Sequence, residues 1–422
     1  MVPDPSPSSS ADGLRIDRQR LMTHLADLAS VAPIEGTEGC ARLALTDEDR
    51  AGRDLVVTWM RDLDLDVSID AIGNVVATMA GHTEGPPVMT GSHIDTVRAA
   101  GRYDGNLGVL AGLEVVETLR TAGLTPRRPL AVAFFTDEEG ARFPPDMLGS
   151  LVYVGGMALE HAHNIEAIDG PKLGAELERI GYLGPAPLPG PTPHAFIELH
   201  IEQGPVLESE ATTIGAVTGV QGISWTEVTV TGQSNHAGTT PMALRHDPAY
   251  VAAATAAHVR ELVTELGGSQ VGTVGRIELH PNLVNVIAST AVFTVDLRNT
   301  DEDVLALSER RLHEFLTTAA EREGVEVQTR SLARFEPVMF DAQMVDLIAE
   351  CARSLGHSVR RMPSGAGHDA QMLARICPTA MVFTQSRGGI SHNPAEHTDP
   401  TDLEAGANVL LRTLLSLAGG AS

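Results

Sequence analysis

Residues 130–135 read Leu-Ala-Val-Ala-Phe-Phe, with no polar side chain on either face. A strand turns successive side chains to opposite sides, so such a run is buried on both sides, as in a sheet covered by helices. Residues 195–199 and 380–383 read as two more runs of this kind, and 74–79 and 87–90 as shorter strands. Helix-length segments lie between them. Residues 16–29 put Leu21, Leu25 and Leu28 on one face. A second helix starts near Thr46, with Asp47, Glu48 and Asp49 in its first turn and an apolar stripe of Leu55, Val56, Trp59, Met60 and Leu63. Residues 107–119 and 344–355 are also helical in pattern. Strands alternating with helices predict an α/β sheet with helices on both faces.

One block breaks the alternation. Residues 225–231 alternate as a strand, 247–266 form an alanine-rich helix, 272–279 and 291–297 are strands, 302–321 are helical and 325–333 are a strand. That order, β-α-β-β-α-β, is the split unit of ferredoxin-like domains. The expected organisation is an α/β domain at 14–212 and 331–422, interrupted by an α+β insert at 213–330. Residues 185–193 are a Pro/Gly-rich loop. Residues 1–13 are rich in Pro and Ser and lack the basic and apolar regions of a signal peptide, so they read as a disordered leader.

Charge and rare residues exclude several functions. Lys+Arg total 30 against 55 Asp+Glu, a net charge of -25, which argues against binding nucleic acid or anionic membrane surfaces. No apolar run approaches the ~18 residues of a membrane span. Lys172 is the only lysine, between Pro171 and Leu173. It fits no P-loop, and its turn-like setting does not suit a Schiff-base enzyme. The cysteines are Cys40, Cys351 and Cys377, an odd number with no C-x-x-C, so neither a disulfide framework nor a zinc knuckle is expected. A reducing, cytoplasmic location is the expectation.

Four apolar runs lead directly into polar motifs. Val88-Met89-Thr90 precedes Gly91-Ser92-His93-Ile94-Asp95. The 130–136 segment precedes Asp137-Glu138-Glu139-Gly140. The 196–199 run precedes His200-Ile201-Glu202-Gln203-Gly204, and 381–384 leads through a glycine-containing loop to Ser391-His392. In open α/β sheets, ligands bind beyond the carboxyl ends of strands, so these groups are expected to face one crevice. Asp104, just before the helix at 107, joins them. Each group alone has an ordinary reading: a satisfied histidine, or a solvated acidic face. Their joint placement argues for a site. The set His93, Asp104, Glu138, Glu139, His200 and His392 offers imidazole and carboxylate without thiolate, which suits zinc or a neighbouring divalent transition metal. Two metals sharing a carboxylate would use about five such ligands and leave one acid as a base. Asp95 could orient the His93 ring from behind.

Competing motifs are incomplete. Gly389-Ile390-Ser391-His392-Asn393 lacks the last glycine of a nucleophile elbow, and H-E-x-x-H is absent. Gly365-Ala366-Gly367-His368-Asp369-Ala370 has G-x-G-x-x-A spacing, but it follows no clear strand and no acid lies about 20 residues on.

Taken together, several motifs resemble one family. They are Gly91-Ser92-His93-Ile94-Asp95-Thr96-Val97, Arg102-Tyr103-Asp104-Gly105, Glu138-Glu139-Gly140, His200-Ile201-Glu202-Gln203-Gly204-Pro205, Asn235-His236-Ala237-Gly238-Thr239-Thr240-Pro241-Met242, Ser364-Gly365-Ala366-Gly367-His368-Asp369-Ala370 and Ser391-His392. They resemble the zinc-dependent amidohydrolases of the aminoacylase and glutamate-carboxypeptidase superfamily, spanning residues 91 to 392 in family order. Within it the chain looks like the branch of N-carbamoyl-L-amino-acid hydrolases, allantoate amidohydrolases and β-ureidopropionases. His200, where peptidase relatives carry an acid, is specific to that branch.

The resemblance implies a di-metal aminopeptidase-like catalytic domain, with the ferredoxin-like insert as lid and dimerisation domain. His93, Asp104 and His200 would bind one divalent metal (Zn, or Mn, Co or Ni), and Asp104, Glu139 and His392 a second. Glu138 would be the general base. His236, Asn285 and Arg298 would contact the substrate, with Gln203, Gln221 and Gly367 as further contacts. The bland alternative for Arg298 is an ion pair with Asp296 or Asp301. The implied protein is a homodimer in which His236 serves the partner's site. It would hydrolyse N-carbamoyl-L-amino acids to amino acid, carbon dioxide and ammonia. Allantoate hydrolysis is the runner-up, followed by β-ureidopropionase, aminoacylase or dipeptidase activity. A silent member that only binds a ureido ligand or a partner protein is the alternative of another class.

Overall fold

Side-chain caps start the first two helices. In the computed structural model, which describes residues 13–422, the Asp17 carboxylate accepts Arg20 N–H at the head of α1 (Arg18–Ala29). Thr46 Oγ1 accepts Asp49 N–H at the head of α2 (Asp47–Asp62). The leader expected at 1–13 lies, apart from Gly13, outside the described residues. The chain continues through β1 (Asp66–Ile69), β2 (Val75–Met79), β3 (Val88–His93), α3 (Asn106–Thr121) and β4 (Leu130–Phe135). Three short helices follow, α4 (Leu148–Tyr153), α5 (Leu159–His163) and α6 (Leu173–Ile180), then β5 (Ala195–Ile201), α7 (Val206–Ser209) and β6 (Ile214–Val220).

The chain divides into two compact units. One runs to Thr218 and resumes at Phe340; the other is Gly219–Met339. The second unit holds β7 (Gly222–Thr231), β8 (Asn235–His236), α8 (Pro248–Leu266), β9 (Val271–His280), β10 (Val286–Ile287), β11 (Thr290–Asn299), α9 (Glu302–Glu323), β12 (Glu326–Phe335) and β13 (Val338–Met339). The first unit resumes with α10 (Ala342–Ser354), β14 (Val359–Ser364), α11 (Asp369–Leu373), β15 (Thr379–Thr384) and α12 (Pro400–Ala418).

The large sheet of the first unit runs β1-β2-β4-β3-β5-β15-β6, with β14 on β6. Its centre is parallel: β3 pairs with β4 from Val88↔Leu130 to His93↔Phe135, β3 with β5, and β15 with β5. The flanking strands β2 and β6 are antiparallel to it, so the sheet is mixed. Four parallel strands therefore end side by side, which is what the motif placement required. The buried helices α3 and α12 pack on β3, β5 and β15. Cutting a buried leucine there, such as Leu110 or Leu410, to alanine would cost about 2–5 kcal/mol.

Two sequence readings of this first unit are corrected. β5 is not apolar throughout, because Glu198 sits in its middle, wholly buried. Its carboxylate accepts Ser92 Oγ–H at 2.6 Å and Ala370 N–H at 2.9 Å, which offsets the cost of burying it. A strand, β14, does lead into Gly365. It belongs to the edge of a mixed sheet, so a dinucleotide site remains unsupported.

The second unit is a four-stranded antiparallel sheet, β12-β7-β11-β9, carrying α8 and α9. Alternate residues of β7 and β11 (Val228, Val230, Phe293 and Val295) meet Val251, Val259, Leu312 and Leu316 of the helices in a separate core. The insert expected at 213–330 is bounded instead by Gly219 and Met339. Its last long strand runs on to Phe335, and the stretch before Gly219 belongs to β6 of the large sheet. A two-stranded ladder sets His236 of β8 opposite Val286 of β10. Among the described residues no helix is long and apolar enough to cross a membrane.

Candidate metal centre

His93 closes β3, His200 is the penultimate residue of β5, and Glu138 and Glu139 follow β4, so the parallel ladder fixes three of the motifs. Asp104 is placed by a tight turn before α3. Asn106 N–H donates to Asp104 O at 2.7 Å, around a Gly105 with φ 66° and ψ -50°. This three-residue turn with positive φ is strained for any residue with a Cβ.

The two imidazoles present the same nitrogen inward. His93 Nδ1–H donates to Asp95 O at 2.9 Å and His200 Nδ1–H to Ile201 O at 2.8 Å. Each Nε2 is thereby turned into the cluster, where that of His200 also meets Gly105 N–H at 3.1 Å. His200 Nε2 lies 3.1 Å and His93 Nε2 3.8 Å from Asp104 Oδ1. The other oxygen, Oδ2, lies 3.4 Å from His392 Nε2, which is 3.3 Å from Glu139 Oε2. Asp104 thus divides its two oxygens between two donor trios, His93–Asp104–His200 and Asp104–Glu139–His392. Glu138 Oε2 is 3.4 Å from His93 Nε2.

The electrostatics call for positive charge. Burial, reinforced by Asp369, pushes Glu138 well above the usual carboxylate range, and burial beside Asp104 does the same to Glu139. Burial opposes ionisation of Asp104 too, but hydrogen bonds with His200 and His392 outweigh it and hold that carboxyl well below its usual value. Burial drives His93 down to about 4. Burial also works against a charged His200, yet Asp104 overrides it and lifts the ring to about 9. Among the described residues the ion-pair partners of Glu138 and Glu139 are only His93 and His392, and Glu139 Oε1 is buried with no hydrogen-bond partner. Converging acids, an orphaned buried oxygen and an all-nitrogen-and-oxygen donor set fit divalent cations.

A third trio, Glu198–His200–His368, also lies within coordinating distance. Its atoms are already engaged: Glu198 holds Ser92 and Ala370, and His368 Nε2 is 2.8 Å from Ser364 Oγ. That trio reads as support beneath His200, whose ring centroid is 4.6 Å from that of His368.

One cleft of about 110 Å³ gathers His93, Asp104, Glu138, Glu139, His200 and His392 with Gln203 and Gly367. Gln203 Nε2 donates to Asp104 Oδ2 at 2.9 Å and to Ser391 Oγ at 3.2 Å. Asp95 is placed differently from the expectation. Its carboxylate is 4.0 Å from His93 Nδ1, and its backbone carbonyl takes that hydrogen bond instead. The carboxylate accepts the N–H groups of Glu138 and Glu139 at 3.3 and 3.4 Å, so it positions the acids rather than the ring.

The other expected residues belong to the second unit. Gln221 Nε2 donates to Ser269 O at 3.1 Å. His236 Nδ1 accepts Gly238 N–H at 3.1 Å and Thr239 N–H at 3.3 Å, so the neutral ring carries its proton on Nε2. Asn285 sits beside it through Ala237 N–H to Asn285 O at 2.9 Å. Arg298 makes the alternative ion pair: its Nε is 3.1 Å from both Asp296 oxygens, and Nη2 is 2.9 Å from Oδ2.

Sequence reasoning missed Asp146 and His368, which also line the cleft, and Glu396 behind Asp104. His368 stands inside the segment Ser364-Gly365-Ala366-Gly367-His368-Asp369-Ala370, whose resemblance to the family is the signal that marks it. Asp146 and Glu396 carry no periodic or motif signal.

Imidazole and carboxylate donors gathered at the ends of parallel strands make this a candidate metal centre. The chain belongs to peptidase family M20/M25/M40, whose model matches residues 89–416. Enzymes of this family are metal-dependent. The chain is 38% identical over 413 residues to an N-carbamoyl-L-amino-acid amidohydrolase of Rhizobium meliloti, covering 97% of this chain and 99% of that protein. It is 38% identical over 358 residues to the allantoate amidohydrolase of Escherichia coli (strain K12), covering 84% and 87%. A crystal structure of a hydantoinase/carbamoylase family amidase from Burkholderia multivorans superposes with a TM-score of 0.94 at 43% identity, covering 96% and 98%.

Proposed function

We propose that this chain hydrolyses N-carbamoyl-L-amino acids to the L-amino acid, carbon dioxide and ammonia, using two divalent cations. The observation that carries the chemistry is the division of the Asp104 oxygens between two donor trios with Glu138 beside them. His93, Asp104 and His200 would hold one cation, and Asp104, Glu139 and His392 the other. Bound there, such cations make water nucleophilic at neutral pH and polarise the carbonyl under attack. Zinc, manganese, cobalt and nickel all suit these donors.

Glu138 takes the proton of the attacking water on its carboxylate and passes it to the departing nitrogen. Burial and neighbouring acids raise its proton affinity, and the positive charge of bound cations would oppose that rise and keep the carboxylate ionised to accept the proton. Asp95, through the backbone N–H groups of Glu138 and Glu139, holds both acids in place. His236 offers Nε2–H to the oxygen that gains charge, and Asn285 contacts the substrate beside it. Arg298 takes the α-carboxylate, a planar pair suited to guanidinium, which requires it to share or release Asp296. Gln203, Gln221 and Gly367 complete the substrate contacts.

The second unit acts as lid and dimerisation element. Strand β9 lies at a sheet edge with Val271 and Ile277 exposed, a surface suited to pairing with a second copy. A homodimer in which His236 serves the partner's site is expected, and full activity of a monomer in dilute solution would refute the shared site. A cytoplasmic location belongs to the same reading, supported by three buried cysteines outside any disulfide.

Allantoate is the second reading, favoured by equal identity to the Escherichia coli enzyme. Ammonia release by the metal-reconstituted protein decides between them, with N-carbamoyl-L-amino acids, their D-forms, allantoate and 3-ureidopropionate run in parallel. Preference for the N-carbamoyl-L-amino acids is the expected result. Preference for allantoate moves the function to that substrate, and no ammonia from any refutes the ureido reading.

A further inference from the structure

His93 and His200 are held by the strand ladder, but Asp104 and His392 sit on loops. His392 has a φ of 51° and a side chain 52% exposed, so packing alone does not fix it. One buried side chain joins those two loops. Glu396, 3% exposed, accepts Tyr103 N–H at 3.0 Å and Asp104 N–H at 3.3 Å on Oε1. Its Oε2 is 3.3 Å from Ser391 Oγ, which also lies 3.1 Å from Asp104 Oδ2 and takes Gln203 Nε2–H at 3.2 Å. The approach needs a bare backbone at Gly101, where a Cβ would lie 2.2 Å from Glu396 Oε1 and 2.3 Å from its Cβ.

We propose that Glu396 is a positioning residue: it ties the Asp104 loop to the Ser391–His392 loop and thereby sets the affinity of the Asp104–Glu139–His392 trio for its cation. Glu396 touches neither cation nor substrate and acts through the residues that do. Ser391 has one hydroxyl hydrogen and two carboxylates within reach. When Asp104 is engaged by cations, that hydrogen turns to Glu396 and keeps the loops joined. The other trio depends less on Glu396, because two of its three donors belong to the sheet. Glutamine at 396 would preserve every contact, since its oxygen accepts the two N–H groups and its amide donates to Ser391 Oγ.

This inference rests on the two-cation reading, and the test separates the two. The full-length protein, stripped of metal, is titrated with Co²⁺ by calorimetry, with thermal unfolding recorded for every variant. The wild type takes up two cations. Glu396→Ala weakens the weaker-binding step by about 10–100-fold and the other by less than about threefold, the range for losing a group that orients a ligand. Glu396→Gln restores the wild-type isotherm. Ser391→Ala, which cuts one limb of the tie, weakens the same step by several fold and serves if Glu396→Ala does not fold. Unchanged binding in Glu396→Ala and Ser391→Ala, equal weakening of both steps, or a Gln variant no better than Ala overturns the proposal. A wild type that binds a single cation overturns the two-cation reading itself, and this role with it.

Discussion

Gly105→Ala isolates what the bare turn before α3 contributes. Gly105 has φ 66° and ψ -50°, and an added Cβ would lie 2.4 Å from His93 Cε1 and 2.5 Å from both ring nitrogens. Carbon atoms rest in contact at about 3.5–4.0 Å, so the turn and the ring must part by ~1 Å. Two effects follow. Backbone strain in this region costs about 1–3 kcal/mol of stability. A shift of about 1 Å between reacting groups costs on the order of 10²-fold in rate, or about 2.7 kcal/mol of transition-state stabilisation. Gly123→Ala is the control, because Gly123 has a φ of 67° but a Cβ added there would meet nothing within 4 Å. Gly105→Ala should lose more stability than Gly123→Ala in urea unfolding, because the overlap with His93 adds to the backbone strain that both share. Only Gly105→Ala should lose kcat/KM by about 100-fold and bind Co²⁺ more weakly. A Gly105→Ala enzyme within about fivefold of wild-type kcat/KM would refute the claim that this contact sets the spacing of His93 and Asp104.

Three further outcomes are expected. Glu138→Gln should lower kcat by about 10²–10⁴-fold while bound metal, measured by elemental analysis, is retained; surviving turnover would remove Glu138 as the base. Chelation should abolish ammonia release, and added Zn, Mn, Co or Ni should restore it. The stripped protein should stay folded, because each unit has its own apolar core, but unfold more easily, by about 2.7 kcal/mol for a cation previously present at about 100 times its Kd. Asp70, away from the metal cluster, is raised by burial from 3.8 to about 6 despite hydrogen bonds from Ile72 and Asn74. The unfolded chain therefore loses this proton first. The stability it contributes is complete below pH 3.8 and is lost as pH rises through about 6, up to about 3 kcal/mol. Asp70→Asn removes that titration, so the stability gap between variant and wild type should move in the variant's favour between about pH 4 and pH 7; a constant gap in urea unfolding refutes it.

The parallel centre of the sheet was legible because its strands must be apolar on both faces and because polar motifs begin where those runs stop. Four apolar runs and the residues after them located β3, β4, β5 and β15. The flanking strands were less legible. β1 and β14 are partly exposed, so neither needs an unbroken apolar run; β6 is buried almost throughout, but Gly215, Thr218 and Gly219 interrupt its apolar residues. α12 was legible and still missed. Pro400 stands in its first turn, Gly419 closes it in the left-handed region, and its leucines recur at helical spacing. Glu198 was the anomaly in plain view, since an acid inside a buried strand needs partners that only the neighbouring β3 and the start of α11 provide.

Within the candidate site, sequence neighbours misled where contact is decided by direction. Asp95 lies two residues from His93, which suggested a carboxylate behind the ring. At the end of β3 the chain turns, so the Asp95 carbonyl meets Nδ1 at 2.9 Å and the carboxylate swings to the N–H groups that follow β4. Arg298 and Asp296 are also two apart, and there the strand produces contact. Residues i and i+2 of a strand share a face, so guanidinium and carboxylate on β11 fall within 2.9 Å. The same spacing yields a close ion pair where the strand continues and only a 4.0 Å approach where it ends. Glu396 shows the converse. It stands 292 residues from Asp104 in sequence, yet its carboxylate meets the Asp104 N–H at 3.3 Å, because the loops that follow β3 and β15 leave the parallel strands at the same carboxyl end. Strand-end chemistry can be read from a chain one run at a time, whereas the ties between loops exist only once the strand order β4-β3-β5-β15 is in place.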